Sequence, residues 1–467
     1  MRSGIPVKTT LTVLTLVALL LVPQAIPSLR NYLSLEPKSA ATVLNLPVKP
    51  ATPGAGADPL ASPANLNQAI NKQLVAKAPR NLSDPSHVLD HFYQALLKGE
   101  GVQIVHYGDS PTTADLITAD ARALFQREFG DGGMGFVLMA KPWAWYNHRG
   151  IEMSASNWKM DVAGNTPLKD GLHGLGAVSF RGTPGAVARW KVKAAHRSVE
   201  IAYLVEPQGG EFAVEADGQP IGTGLSTTPP GASAFTPGYA SFEIPPGAAE
   251  ITLKVTSGSV RLYGADFRKG TGVVYSSLGI NGANITLLSN AFNEAHWAAE
   301  LRHYKPDLII VNYGTNESGF PNFIDNTWGR EMRKAVARLQ KAVPEASILL
   351  MSPMDRGAKG SGGEIDTIPT MPRLVATESK IASETGVAFF NTFEAMGGAG
   401  TMARWYSSEP RLVGSDYIHP MPAGARIVGE LLFTALREGF NQFKLQELKQ
   451  KIVEQAERTG REGSQRP

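Results

Sequence analysis

The sequence contains no cysteine. Disulfides, thiolate-ligated zinc, a thiol nucleophile and a cysteine-linked lipid anchor are therefore all excluded. A strong charge of either sign is also missing: 45 Lys and Arg face 42 Asp and Glu, a net charge of +3 over 467 residues. A field that weak does not make nucleic acid the main partner. Long hydrophobic runs are scarce. Residues 11–22 are apolar apart from Thr12 and Thr15, and this run is shorter than the about 20 residues a spanning helix needs. What is present suits a folded globular chain, with 43% hydrophobic and 19% charged residues. The 48 glycines and 32 prolines exceed the usual share of roughly 12% and signal many turns and loops. The length exceeds one average domain, which suggests two domains plus appendages.

Arg2 and Lys8, with no acid among residues 1–8, precede the apolar run, which is the pattern of an export signal. Including residues 5–7 and 25–26 brings the run near spanning length, and Pro23, Gln24 and Ala25 make a poor cleavage site. We therefore expect an uncleaved signal anchor over residues 1–28, with a cleaved signal peptide as the alternative. Residues 43–63 contain five prolines and two glycines among alanines and read as an extended spacer. The linker is assigned to residues 29–80, and it holds the folded part away from a membrane or export site.

The folded part has two textures. Over 86–140 and 272–438, short apolar strands alternate with helical patterns. Residues 102–107 read as a strand. The helix after it carries Leu116, Ala119 and Ala123 on one face and stops at Gly130. Residues 308–313 and 347–351 are buried parallel strands. Met332, Ala335, Val336, Leu339 and Val343 mark a helix, 374–385 another ending at Gly386, 387–390 a strand, and 422–436 the last helix. This alternation predicts an α/β doubly wound sheet, whose ligands sit beyond the carboxyl ends of its strands. Over 150–268 the pattern changes to short β-like runs (199–205, 211–216, 250–255, 260–267) with turns at Asp217-Gly218 and Ser257-Gly258. This stretch is expected to be an all-β sandwich inserted into the α/β domain. From Asn441, Leu445, Leu448 and Ile452 amid charges suggest an exposed amphipathic helix running into a disordered end.

Four loops are positioned to carry chemistry. Gly108-Asp109-Ser110-Pro111 follows the first strand, where a serine can present its hydroxyl above the sheet edge. By itself the segment reads equally well as an N-cap supplied by Asp109 or Ser110. Ser277-Leu278-Gly279-Ile280-Asn281-Gly282-Ala283 is either a tight turn or a loop that bares a backbone N–H to a substrate. Gly314-Thr315-Asn316-Glu317 follows a buried strand, so Asn316 can donate into the same crevice or satisfy its own loop. Asp416-Tyr417-Ile418-His419-Pro420 precedes the last helix. A hydroxyl nucleophile needs a base, and the base needs an orienting acceptor. His419, one of nine histidines, with Asp416 three residues upstream, can supply both or can be a surface histidine.

In order and spacing, Ser110, Gly282, Asn316, Asp416 and His419 resemble the blocks of the SGNH (GDSL-like) hydrolase superfamily. The first block departs from the usual pattern in having Pro111, which a first helical turn tolerates. The wording around the blocks resembles the bacterial peptidoglycan O-acetylesterases of that superfamily: His106-Tyr107-Gly108-Asp109-Ser110, Ala114-Asp115, Phe129-Gly130-Asp131-Gly132-Gly133 and Ala395-Met396-Gly397-Gly398. The resemblance spans 86–438. It implies a flavodoxin-like doubly wound parallel sheet over 81–149 and 271–440. A jelly-roll β-sandwich similar to carbohydrate-binding modules would interrupt it at 150–270, with a charged tail at 441–467. Ser110 and Gly282 are separated by far more than one βα unit requires, which suits such an insertion.

The same resemblance implies an exported, periplasmic esterase, membrane-anchored through its N-terminal helix in the inner membrane, that removes O-acetyl groups from a cell-wall polysaccharide. Ser110 would be the nucleophile, His419 the base and Asp416 its orienting partner. The N–H groups of Ser110 and Gly282 and the Asn316 amide would bind the oxyanion. No cofactor or metal is called for, and the partner is an acetylated polysaccharide, not nucleic acid. The competing readings are a deacetylase of another acetylated glycan (exopolysaccharide or xylan), a sugar O-acetyltransferase and an inactive glycan-binding protein. Trp143, Trp145 and Tyr146 are expected to pack in the core rather than against sugar.

Overall fold

A computed structural model of the chain describes residues 81–464, apart from 165–168, 193–195, 230 and 232. The expected signal segment and the whole of the expected linker lie outside these residues. Among the described residues no helix is long and apolar enough to cross a membrane.

The chain opens with β1 (Leu82–Ser83), α1 (Asp90–Lys98), β2 (Val102–Gly108), the single-turn α2 (Ser110–Thr113), α3 (Ile117–Phe129) and β3 (Asp131–Leu138). Eight strands follow: β4 (Ile151–Val162), β5 (Val178–Val192), β6 (Ser198–Val205), β7 (Glu211–Ala216), β8 (Gln219–Ser226), β9 (Thr236–Glu243), β10 (Glu250–Ser257) and β11 (Val260–Arg268). The α/β pattern then resumes with β12 (Val273–Gly279), α4 (Glu294–Tyr304), β13 (Leu308–Asn312), α5 (Gly329–Ala342) and β14 (Ser347–Met351). A small hairpin of β15 (Gly357–Lys359) and β16 (Ile365–Thr367) comes next, then α6 (Thr370–Thr385), β17 (Ala388–Phe390) and α7 (Pro422–Ser464).

Strands β12, β2, β13, β14 and β17 lie side by side in that order and all run parallel. Numbered along the chain, this is the 2-1-3-4-5 order of flavodoxin-like sheets, with its switch point at β2. Side chains alternate across the buried strands. Leu308 and Ile310 of β13 pack toward α1, α3 and α7, while Ile309 and Val311 pack toward α4, α5 and α6. Helices therefore cover both faces, which is why these strands read as uninterrupted apolar runs.

The middle strands do not form a detached sheet. β3 pairs parallel with β12 on one side and antiparallel with β11 on the other, so the hydrogen-bonded ladder continues into the antiparallel region. The 15-residue β5 pairs with β10 near its end and with β11 near its start. From there one arm runs β10-β7-β8 and the other β11-β6-β9. Asp217 and Gly218 both have positive φ (47° and 78°) and form the β7–β8 hairpin turn. The Ser257-Gly258 turn differs, because β10 and β11 each pair with β5 and are not hydrogen-bonded to one another.

Three expectations need correction. Of the expected face of α3, Ala119 is buried and Leu116 half-buried, but Ala123 is exposed, and Ile117, Ala121 and Phe125 carry the buried stripe. The stripe is set by contact with α7 rather than by the small residues alone. The last helix does not end near 436 with a separate tail helix after it, because α7 is continuous to Ser464. Phe440 and Phe443 pack against Tyr93, which carries the helix past the expected break. Finally, Tyr146 is buried, but Trp145 is 73% exposed.

Candidate active site

The switch point of the sheet places one strand end between two others. At the carboxyl end of β2, Gly108 lies opposite Gly279 of β12 and Asn312 of β13. A side chain at Gly108 would collide with Thr112, and one at Gly279 with the backbone of Thr112 and Thr113. Glycine at both positions lets α2 sit directly on the strand ends. Ser277 anchors that turn by donating its hydroxyl to the Thr112 carbonyl at 3.1 Å. Beneath it, Asp115 and Arg122 form a buried ion pair at 2.6 Å.

Ser110 is the first residue of α2 and is half-buried. Its Oγ lies 2.8 Å from Nε2 of His419, and Nδ1 of the same ring lies 2.6 Å from Oδ2 of Asp416. A carboxylate can only accept, so the proton on this ring belongs on Nδ1, leaving Nε2 to accept from the serine hydroxyl. The other carboxylate oxygen, Oδ1, accepts from the backbone N–H groups of Ile418 (3.0 Å) and His419 (3.1 Å). Burial alone would raise the Asp416 carboxyl. The hydrogen bonds from the His419 ring and from these two N–H groups outweigh it, and the group sits below the ordinary aspartate range. The loop is closed by Gly414 N–H on the His419 carbonyl at 2.8 Å, and Tyr417 takes the left-handed conformation at φ 59°.

Asp109 occupies the N-cap position of α2, yet its side chain makes no capping bond. It is buried instead, and burial raises its carboxyl to about 7. The N-cap reading of this segment therefore does not hold for its side chain.

The remaining two expected residues meet on the neighbouring loops. Gly282 has φ 72°, a conformation that glycine adopts freely, and nothing crowds it. Asn316 donates its side-chain amide to the Ala283 carbonyl at 2.8 Å, so one amide proton ties the two loops together, and among the described residues the second has no acceptor. Gly282 and Asn316 line one cavity of about 520 Å³ together with Asn284, Glu317, Phe320 and Arg356.

Two of those residues escaped sequence reasoning. Glu317 is buried and accepts from the N–H of Ile285 at 2.8 Å and of Gly314 at 3.1 Å, which joins the two loops from below. Burial raises its carboxyl to about 8. Its only signal was adjacency to Asn316. Arg356 lies in the loop after β14, and a charged residue beyond the carboxyl end of a buried parallel strand is the cue that would have marked it.

Residues 252–427 match the model of the GDSL-like lipase/acylhydrolase family. That span holds the loops of Gly282, Asn316, Asp416 and His419 but not Ser110, which the eight middle strands separate from them. No match was found among curated proteins. Among solved structures, one of a peptidoglycan O-acetylesterase superposes with a TM-score of 0.64 at 21% identity, covering 77% of this chain and 99% of its own. A carbohydrate esterase family 2 enzyme with a carbohydrate-binding domain from Corynascus thermopiles matches at TM-score 0.28 and 15% identity, over 61% of this chain and 98% of its own. A GDSL-like lipase from Parabacteroides merdae, itself described as putative, matches at TM-score 0.28 and 16% identity, over 36% and 73%. The family match over 252–427, the superposition and the 2-1-3-4-5 sheet agree on an SGNH-like hydrolase fold, and the matched family supports a carboxylic ester hydrolase.

Proposed function

We propose that the protein is an exported serine esterase that removes O-acetyl groups from a cell-wall polysaccharide, peptidoglycan being the preferred substrate. The observation that carries this reading is the chain of contacts from Ser110 Oγ to His419 Nε2 (2.8 Å) and from His419 Nδ1 to Asp416 Oδ2 (2.6 Å). The peptidoglycan assignment draws on the similarity to the O-acetylesterase structure and on the wording around the sequence blocks. Export draws on the basic and apolar segment at 1–28, with anchoring as its stricter form. Residues 81–149 and 271–440 would form the catalytic domain, with 150–270 inserted between them.

In the reaction, the Ser110 oxygen attacks the acetyl carbonyl while its proton passes to His419 Nε2. Asp416 holds the ring in the tautomer this needs and stabilises the imidazolium that forms. The tetrahedral oxyanion is met by the N–H groups of Ser110 and Gly282 and by the free amide proton of Asn316. Collapse breaks the bond to the sugar oxygen, which leaves with the proton from His419. Water then attacks the acetyl-serine ester with His419 again as base, and the second collapse breaks the bond to Ser110 Oγ, which takes the proton back from His419 as acetate is released.

The test is acetate release from O-acetylated peptidoglycan, measured beside acetylxylan and in the presence of sugar acceptors. Wild type should release acetate from peptidoglycan, and Ser110→Ala should not. Equal release by Ser110→Ala overturns the mechanism. Preference for acetylxylan overturns the substrate, and acetylated acceptor in place of free acetate would make the protein a transferase.

A further inference from the structure

The cavity beside the oxyanion loops contains more chemistry than ester hydrolysis requires. Phe320 stands at it with its ring 66% exposed, although the backbone beneath is fixed by its N–H on the Glu317 carbonyl at 2.8 Å. A large aromatic held outside the core on a fixed backbone is suited to covering the face of a sugar ring. Asn284 also lines this cavity; its Oδ1 accepts from Thr286, which leaves its N–H₂ to face ring hydroxyls.

Arg356 supplies the charge. Its Nη1 donates to the Thr315 carbonyl at 2.7 Å and to the Ser318 hydroxyl at 3.1 Å, and both bonds fall on the loop that carries Asn316. The next residue, Gly357, donates its N–H to the Tyr417 carbonyl at 2.9 Å, on the loop that carries Asp416 and His419. The guanidinium is thus held between the two halves of the site. Gly319 leaves room for it: a Cβ there would stand 3.2 Å from Nη1 and 3.3 Å from Nη2. Among the described residues Arg356 forms no ion pair, so its remaining N–H groups are uncommitted. Burial lowers the guanidinium's pKa against the pull of Asp416, yet arginine keeps its charge. Of the acids nearby, Glu317 is raised to about 8 by burial, and Asp416, which acts on the guanidinium electrostatically, has both oxygens taken by His419 and the N–H groups of Ile418 and His419.

We propose that Arg356 and Phe320 form a subsite for a carboxylate-bearing sugar adjoining the acetylated position, so that the site selects acidic over neutral glycans. Phe320 covers the sugar face, and the free N–H groups of Arg356 take the carboxylate as a charge-assisted pair. This rests on the esterase reading above and narrows it to a substrate class. Muramic acid that carries no stem peptide has a free lactyl carboxylate and so the required chemistry, whereas acetylxylan has a neutral backbone.

A matched set of probes tests this: O-acetylated N-acetylmuramic acid, its carboxamide, and p-nitrophenyl acetate, which lacks both sugar and charge. Wild type should favour the acid over the carboxamide. Arg356→Gln should lower kcat/KM on the acid by about 10- to 100-fold, the range for a lost charged hydrogen bond, mainly through KM. The carboxamide and p-nitrophenyl acetate should lose less than the acid and by similar amounts, the share owed to the bonds on the Asn316 loop, and Arg356→Lys should recover part of the charge-dependent loss. Phe320→Ala should weaken both sugars and spare p-nitrophenyl acetate. Equal losses on all three probes would make Arg356 a brace for the loops and overturn the subsite, as would no loss on any. If Ser110→Ala still hydrolyses the probes, the esterase reading itself is what has failed.

Discussion

Asp109 and Asp416 show how position decides the behaviour of one residue type. Asp109, adjacent to Ser110, is buried and raised to about 7. Asp416, the partner of His419, is 46% exposed in its side chain and lowered by the hydrogen bonds it accepts. Only the second can hold an imidazolium. Replacing Asp416 by Asn keeps the shape, but an amide whose oxygen still accepts from the Ile418 and His419 N–H groups turns its N–H₂ toward Nδ1, which favours the wrong tautomer. Asp416→Asn is expected to lower kcat by up to about 10⁴ with little change in folding, read as single-turnover acetate release beside circular dichroism. Its partial exposure lets water compensate, so a value toward 10² would still fit. Unchanged kcat would remove Asp416 from the mechanism. That Ser110, His419 and Asp416 meet was legible in the sequence because each is a residue type at a strand end or loop with fixed neighbours. The burial of Asp109 and the convergence of Arg356 on the same cleft were not. Both depend on which loops the sheet order brings together, and a linear sequence does not carry that.

The loops at the carboxyl ends of β12 and β13 act as one unit because Glu317 spans them. Its Oε1 takes the Ile285 N–H and its Oε2 the Gly314 N–H, while Asn316 returns a bond to Ala283. Glu317→Gln places an N–H₂ against one of those donors and leaves a buried N–H unpaired, at a cost of about 1–3 kcal/mol. Urea unfolding should register that loss. kcat on p-nitrophenyl acetate should fall with it, because Gly282 and Asn316 lose their common anchor. Lost stability with full kcat would show that the loops keep their positions without Glu317. Most strands were legible from sequence in proportion to their burial, but β3 is buried and was not read, because Gly132, Gly133 and Gly135 interrupt its pattern. The parallel strands, buried on both faces, and β6, β7, β10 and β11, partly or wholly buried, all carried a readable pattern. β4, β8 and β9 each pair with one neighbour only and are largely solvent-facing, and β8 and β9 are broken by Pro220, Gly222, Pro237 and Gly238. An edge strand takes its conformation from its partner, so its own residues need not alternate. β5 was hidden differently, because Gly182-Thr183-Pro184-Gly185 reads as a turn yet lies within the strand.

At the scale of the whole molecule, the interior contains carboxyl groups that burial keeps protonated and histidines that burial keeps neutral. Asp109 is raised to about 7, Glu300 and Glu317 to about 8, and Glu378 is also raised. His106 is lowered to about 3, and His148, His173 and His296 to about 4. The two sets act on stability with opposite sign. Between the unfolded carboxyl range and about 8, the unfolded chain has lost protons that the folded chain still holds, so each such group lowers stability as pH rises. Between about 4 and the ordinary histidine value near 6.5, the unfolded chain holds protons the folded chain rejects, so each buried histidine raises stability as pH rises. The effects oppose one another below pH ~6.5, and above it only the carboxyl groups remain. Stability should therefore fall from pH ~6.5 to pH ~8, by as much as about 1.4 kcal/mol per pH unit for each group still protonated in the fold. Glu300 isolates one of them. It is fully buried, its Oε2 accepts the Leu175 N–H at 3.2 Å, and glutamine can keep that bond through its own oxygen. Glu300→Gln should flatten the decline by about one group's share while leaving the midpoint near pH 5 little changed, as followed by thermal unfolding across the range. A wild-type midpoint that holds steady or rises between pH ~6.5 and ~8, or a Glu300→Gln slope equal to wild type, would mean that these carboxyl groups are ionised in the folded protein.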